Sequence, residues 1–136
     1  MKAMAAGLGL LVAVAAAVAP VGAGSRVTDV TVEQAQALIQ RQSGKADFVI
    51  LDVRTLAEFR EGHIEGAILL DVSAPDFEKR LSGLDRGKSY LVYCRSGNRS
   101  ARAVQAMERL GFRSIYHMHQ GILGWQQRQL PLSRSS

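Results

Sequence analysis

Two short apolar runs, Phe48-Val49-Ile50-Leu51 and Tyr90-Leu91-Val92-Tyr93, do most to limit what this chain can become. Each is too short for a helix, and neither alternates with polar residues. That is the pattern of a strand covered on both faces, as in the centre of a parallel sheet. Helical patterns lie between the strand patterns. Thr31-Val32-Glu33-Gln34 has the form of a capping box, followed by Val32, Ala35, Leu38 and Ile39 at helical spacing and a stop near Ser43-Gly44. Thr55 and Glu58 form a second capping box, opening a short helix that Gly62 ends.

The remaining segments fit the same alternation. Gly24 to Arg26 reads as a frayed lead and Val27 to Val30 as a first strand. His63 to Leu70 gives a turn at Gly66 and another short strand. Pro75 suits the first turn of a small helix carrying Phe77 and Leu81, and Leu84 to Lys88 is a surface turn. Ala101, Val104, Met107 and Leu110 make an apolar stripe closed by Gly111. Ser114 to His117 reads as a strand, Gly121 to Trp125 as a turn into a last helix, and Pro131 as its end. The predicted class is α/β, a mainly parallel central sheet flanked by helices, in which ligands bind at the C-terminal ends of strands.

A length of 136 residues allows one domain. Met1-Lys2, the Ala/Val/Leu/Gly run to Val18, and Ala19-Pro20-Val21-Gly22-Ala23 have the charged start, apolar middle and small-residue exit of a secretory signal, with cleavage expected after Ala23. Residues 24–136 are then the single domain, exported, and periplasmic if the source is bacterial. The competing reading is an uncleaved membrane anchor, because the run is nearly long enough to span a bilayer. Its Ala and Gly content and Pro20 favour cleavage. The formal charge of +5 falls by the one charge of Lys2 when the leader is removed. Basic residues are scattered among acids with little aromatic interleaving, which argues against nucleic-acid binding and suits a small anionic substrate.

The strand pattern at Tyr90 to Tyr93 runs into Cys94-Arg95-Ser96-Gly97-Asn98-Arg99-Ser100, and then into the helix. A lone cysteine is most often a small buried hydrophobe. Here Gly97 permits unusual backbone angles, Asn98 tolerates them, and Ser100 is the residue type of a helix N-cap. A thiol at a strand end, ringed by loop N–H groups and two arginines, sits in a field that favours thiolate, the form that attacks. Cys94 is the only cysteine, so it forms no internal disulfide in an oxidising compartment, and a reactive role follows more readily.

Three stretches together resemble the rhodanese (sulfurtransferase) family: Asp52-Val53-Arg54 with Glu58-Phe59, Gly62-His63-Ile64-Glu65-Gly66-Ala67, and the Cys94 to Ser100 loop. Gly121-Ile122-Leu123-Gly124-Trp125 fits as well, and the resemblance covers essentially the whole domain. It implies a stand-alone single-domain member in which Cys94 takes sulfur from a donor such as thiosulfate, holds it as a persulfide and passes it to a thiophilic acceptor such as cyanide or a thiol. It further implies that the N–H groups of Arg95, Ser96, Gly97, Asn98, Arg99 and Ser100 cradle the anionic donor. Arg95 and Arg99 add positive charge. No metal or organic cofactor is implied, because cysteine carries the chemistry. Two positions depart from the family pattern: Glu65, where proline is common, and Gln120, where a second glycine commonly begins the last motif.

Other readings compete. A persulfide carrier loaded by a protein sulfur-relay partner, or a docking module, would keep the same loop. Phosphatases and arsenate reductases use a similar cradle but place five residues between cysteine and arginine. Here four, Arg95 to Asn98, separate Cys94 from Arg99, which suits sulfur better than a tetrahedral oxyanion. Asp52, Arg54 and Glu58 read as a structural charge network rather than acid and base. His63 reads as a hydrogen-bonded turn residue. His117 and His119, on one side of a strand, lack a third metal ligand and read as incidental surface or packing residues.

Overall fold

The computed structural model describes residues 24–135. The leader expected at Met1–Ala23 lies outside the described residues. Five strands alternate with five helices: β1 (Arg26–Val30), α1 (Val32–Gln42), β2 (Phe48–Asp52), α2 (Leu56–Glu61), β3 (Ile68–Leu69), α3 (Phe77–Ser82), β4 (Ser89–Tyr93), α4 (Asn98–Arg109), β5 (Ser114–Met118) and α5 (Gly121–Gln127). All strand pairs are parallel, in the order β1-β5-β4-β2-β3. The two unbroken apolar runs are β2 and β4, neighbours at the sheet centre, as their composition requires.

Alternation along β4 divides the core. Tyr90 and Val92, with Cys94 beyond them, join Phe77, Leu81, Ala103, Val104 and Met107 on the face covered by α3 and α4. Leu91 and Tyr93 join Val32, Ala35, Leu38, Ile122 and Trp125 on the face covered by α1 and α5. Burying both faces of one strand is what makes a continuous apolar sequence necessary.

Both capping boxes are present: Thr31 with Gln34 starts α1, and Thr55 with Glu58 starts α2. Several boundaries differ from the sequence expectation. Arg26 belongs to β1 rather than to a frayed lead, its N–H bonded to the Arg113 carbonyl at 2.9 Å. Pro75 precedes the N-cap of α3, which is Asp76, instead of lying in the first turn. The last helix begins at Gly121 itself, without a preceding turn over Gly121–Trp125.

The strand order positions the site. From β2 the chain moves outward to β3, whereas from β4 it moves the other way, to β5. Connections leaving the C-terminal ends of β2 and β4 therefore diverge and open a crevice there. Val53 N–H still donates to the Tyr93 carbonyl at 3.1 Å, so the two strand ends stay together up to the residue before Cys94.

Candidate active site

Cys94 is the first residue past β4 and is 1% exposed. The chain turns sharply after it because Gly97 adopts the left-handed conformation, φ 103°, and serves as the N-cap of α4. Ser100 is thus not the N-cap that its residue type predicts. It is the third residue of the helix, buried, with its hydroxyl turned back toward the sulfur. The Gly97 N–H donates to Cys94 Sγ at 3.1 Å, and Sγ lies 3.3 Å from Ser100 Oγ.

These contacts favour ionisation of the thiol. Burial pushes its pKa up, but the Ser100 hydroxyl and the N–H groups of Ser100, Gly97 and Ser96 outweigh burial and hold it below the ordinary cysteine value. All four groups come from the loop and the first turn of α4, where helix N–H groups lack internal partners. Of the backbone N–H groups from Arg95 to Ser100, that of Gly97 is hydrogen-bonded to the sulfur, and those of Ser96 and Ser100 also favour its anion.

A second segment holds the loop in place. Ile122 N–H donates to the Cys94 carbonyl at 2.9 Å and Leu123 N–H to the Arg95 carbonyl at 3.1 Å, so the start of α5 clamps the start of the loop. The clamp needs glycine on both sides. A Cβ on Gly121 would run into the Arg95 carbonyl and the Ser96 nitrogen, and one on Gly97 would run into the His119 carbonyl. Gln120 turns its side chain away from this contact, its Oε1 accepting the Val32 N–H of α1 at 2.8 Å.

Residues 31–128 match the Rhodanese-like domain family. The chain belongs to that family. It is 30% identical over 97 residues to a protein of Allochromatium vinosum named "Sulfurtransferase", covering 71% of this chain and 89% of that one. It is 29% identical over 119 residues to rhodanese-like domain-containing protein 17 of Arabidopsis thaliana, covering 79% and 73%. Among solved structures it is similar to a rhodanese-related protein of Thermoplasma volcanium, with TM-score 0.68 and 28% identity, covering 79% of this chain and 99% of that one. Family and fold agree with the resemblance carried by the three motifs.

Around the rhodanese-like cradle the other expected site residues separate. Arg95 and Asn98 are exposed, and Arg95 lines a cavity of about 120 Å³ with Arg54, Glu58, Gly62, Ile122 and Gln126. Arg99 is half-buried, and its guanidinium is held by Glu58 at 2.6 and 2.9 Å. Its charge is therefore compensated, a pairing between α4 and α2 that no local pattern announces. A cavity of about 640 Å³ between α1 and the β2–β3 edge contains no residue of the loop.

Asp52 and Arg54 form a buried ion pair at 2.7 Å. Arg54 also donates to the Gly62 carbonyl at 2.7 Å and lies over the Tyr93 ring, 5.7 Å from its centroid. The Tyr93 hydroxyl accepts the Ile64 N–H at 3.0 Å. His63 Nδ1 is 2.8 Å from the Phe59 carbonyl, and the two rings stack at 3.6 Å. These groups bind the ends of β2 and β4 to the 62–64 turn beside the cradle, and they do not touch Cys94.

His117 has a partner that its expected surface or packing role does not include. It is neither a surface nor a mere packing residue: it is buried, with Nε2 2.7 Å from Ser100 Oγ. The spacing puts His117 on the same side of its strand as Ile115, and the structure puts that side with Cys94. Among the described residues no group of three or more His, Cys, Asp or Glu is placed to hold a metal.

Proposed function

We propose that this chain is an exported sulfurtransferase that carries sulfane sulfur as a persulfide on Cys94. The observation that carries the reading is the Gly97 N–H directed at a buried sulfur whose thiolate is favoured by loop donors. In the first half-reaction the Cys94 thiolate attacks the outer sulfur of thiosulfate. The Sγ–S bond forms as the S–S bond of thiosulfate breaks, and sulfite leaves with the electron pair. The persulfide anion then lies among the same N–H groups, which need not reorganise to hold it. In the second half-reaction cyanide or a thiolate attacks the outer sulfur, and Cys94 leaves as thiolate.

Arg95 supports an anionic donor, because among the described residues it has no acidic partner, whereas Arg99 is already paired. Export rests on the composition of Met1 to Ala23.

Intact mass of the purified protein after brief exposure to thiosulfate tests both parts, with Cys94→Ser as control. A chain beginning at Gly24 that gains one sulfur atom, about 32 Da, on the wild type alone and loses it to cyanide is the expected result for a covalent persulfide. Sulfur gained only from a protein donor would instead identify a carrier, and no gain from either would reject the reading. A chain still beginning at Met1 would reject cleavage.

A further inference from the structure

The reaction just described makes no use of His117. Yet this buried imidazole is hydrogen-bonded to the serine beside the nucleophile and has a carboxylate near its other nitrogen. Cys94 Sγ is 3.3 Å from Ser100 Oγ, Ser100 Oγ is 2.7 Å from His117 Nε2, and His117 Nδ1 is 3.4 Å from Asp29 Oδ1. The four residues come from the loop after β4, from α4, from β5 and from β1. Register explains the last contact: Asp29 is the Cα partner of His117 in the parallel β1–β5 pair, so both side chains leave the same face of the sheet.

We propose that Ser100, His117 and Asp29 form a proton relay that ionises Cys94, with His117 and Asp29 as positioning residues acting through Ser100. The inference rests on Cys94 being the nucleophile. With Asp29 facing Nδ1, the proton of the neutral ring belongs on Nδ1, which leaves the Nε2 lone pair toward Ser100. While the sulfur keeps its own proton, the Ser100 hydroxyl has two acceptors in reach, the Gly97 carbonyl at 3.1 Å and Nε2 at 2.7 Å, and the histidine is the nearer. Burial pushes the His117 pKa below its ordinary value, Asp29 opposes this, and the ring is neutral and able to accept at pH 7.

The transfer balances without a co-reactant. The Sγ–H proton passes to Ser100 Oγ as the Ser100 O–H proton passes to Nε2. The products are a thiolate receiving a hydrogen bond from Ser100, and an imidazolium donating to Ser100 and facing the Asp29 carboxylate. The titratable groups facing His117 are Asp29 from β1, His119 just beyond β5, and Cys94 through Ser100. Its register partner on β4, Val92, carries no charge.

Alkylation of Cys94 by iodoacetamide, followed as a function of pH, reads thiol ionisation without any sulfur donor. His117→Asn and Ser100→Ala should slow alkylation at pH 7 about tenfold and move the rate profile to higher pH, since each tenfold loss of thiolate is one unit of pH. Asp29→Asn, at a side chain 72% exposed and so dispensable for folding, should move the profile the same way by less. Thermal unfolding identifies any variant that does not fold. A wild-type profile in His117→Asn and Asp29→Asn, or in Asp29→Asn alone should His117→Asn not fold, overturns the relay. A wild type that thiosulfate does not load, but whose profile shifts as expected in the variants, overturns the sulfur-transfer reading and leaves the relay standing.

Discussion

The Arg99 guanidinium donates to both carboxylate oxygens of Glu58, at 2.6 and 2.9 Å, and that same carboxylate closes the capping box that starts α2. One acidic side chain thereby ties the helix after β2 to the helix after β4, at the crevice that opens between them. It also decides how much positive charge the loop presents: the cation of Arg99 is balanced, and that of Arg95 is not.

Removing Arg99 alone leaves an unbalanced carboxylate beside the Cys94 loop. Arg99→Ala should lower kcat/KM for thiosulfate on the order of tenfold, the effect of about 1.4 kcal/mol from one like charge near a partly buried anion. Glu58→Gln combined with Arg99→Ala removes the carboxylate as well and should recover most of that loss. Steady-state thiocyanate formation from thiosulfate and cyanide is the assay. Equal losses in both variants would mean that the guanidinium itself contacts the donor.

The same pair makes stability depend on acid. Hydrogen bonds from Arg99 first, opposed by burial and aided by Thr55, lower the Glu58 carboxyl from 4.5 to about 2 in the folded protein. A folded value below the unfolded one means that the contribution is fully present above pH 4.5. It is lost as pH falls toward 2. Wild type should exceed Glu58→Gln by about 1 kcal/mol at pH 6, after allowance for solvent screening of a half-buried pair, and the two should converge near pH 2. Urea unfolding at a series of pH values checks this, and a gap that persists at pH 2 would assign the difference to packing.

Much of the architecture is legible in local patterns, because each pattern has one physical meaning. Unbroken apolar runs become the doubly covered β2 and β4, and Thr31/Gln34 and Thr55/Glu58 become capping boxes. The strand, loop and helix around Cys94 follow from residue types alone. What is not legible depends on relationships across the sheet. Ser100 looks like an N-cap by type, yet the left-handed Gly97 starts α4 earlier and turns the serine toward the sulfur. Glu58 and Arg99 meet only because the connections from β2 and β4 diverge from neighbouring strand ends. His117 meets Ser100 because α4 covers the face of β5 to which odd-numbered residues point, and two-residue spacing cannot say which face that is.

Glycine at positions 97 and 121 separates two kinds of cost. Both have positive φ, 103° and 65°, and both would place a Cβ against backbone across the loop clamp. Gly66 has φ 83° with open space around it. Gly66→Ala should cost about 1 kcal/mol from backbone strain alone. Gly97→Ala and Gly121→Ala should cost about 3 kcal/mol or more, because backbone must also move. They should also slow sulfur loading, since the displaced segments carry Ser96, Gly97 and the bonds to the Cys94 and Arg95 carbonyls. Urea midpoints and the rate of the mass gain measure the two effects, and equal destabilisation at all three sites would mean that the clamp yields freely.

Asp52 and Arg54 are buried at 0% and 4% exposure, so the two partners should respond unequally to single and double replacement. Arg54→Ala strands the Asp52 carboxylate in the core and should destabilise by about 3–5 kcal/mol. Replacing both, Asp52→Asn with Arg54→Met, removes the stranded charge and should cost markedly less, even though the bond to the Gly62 carbonyl and the cation over the Tyr93 ring are lost in both variants. Neither group touches Cys94, so the rate of sulfur loading per folded molecule should stay within about threefold of wild type, the scatter expected of a structural site away from the reacting atoms. Chemical denaturation and loading kinetics at a temperature where both variants are folded give the two numbers. A large loss of loading with little loss of stability would instead make Arg54, which shares the cavity lined by Arg95, part of the donor site.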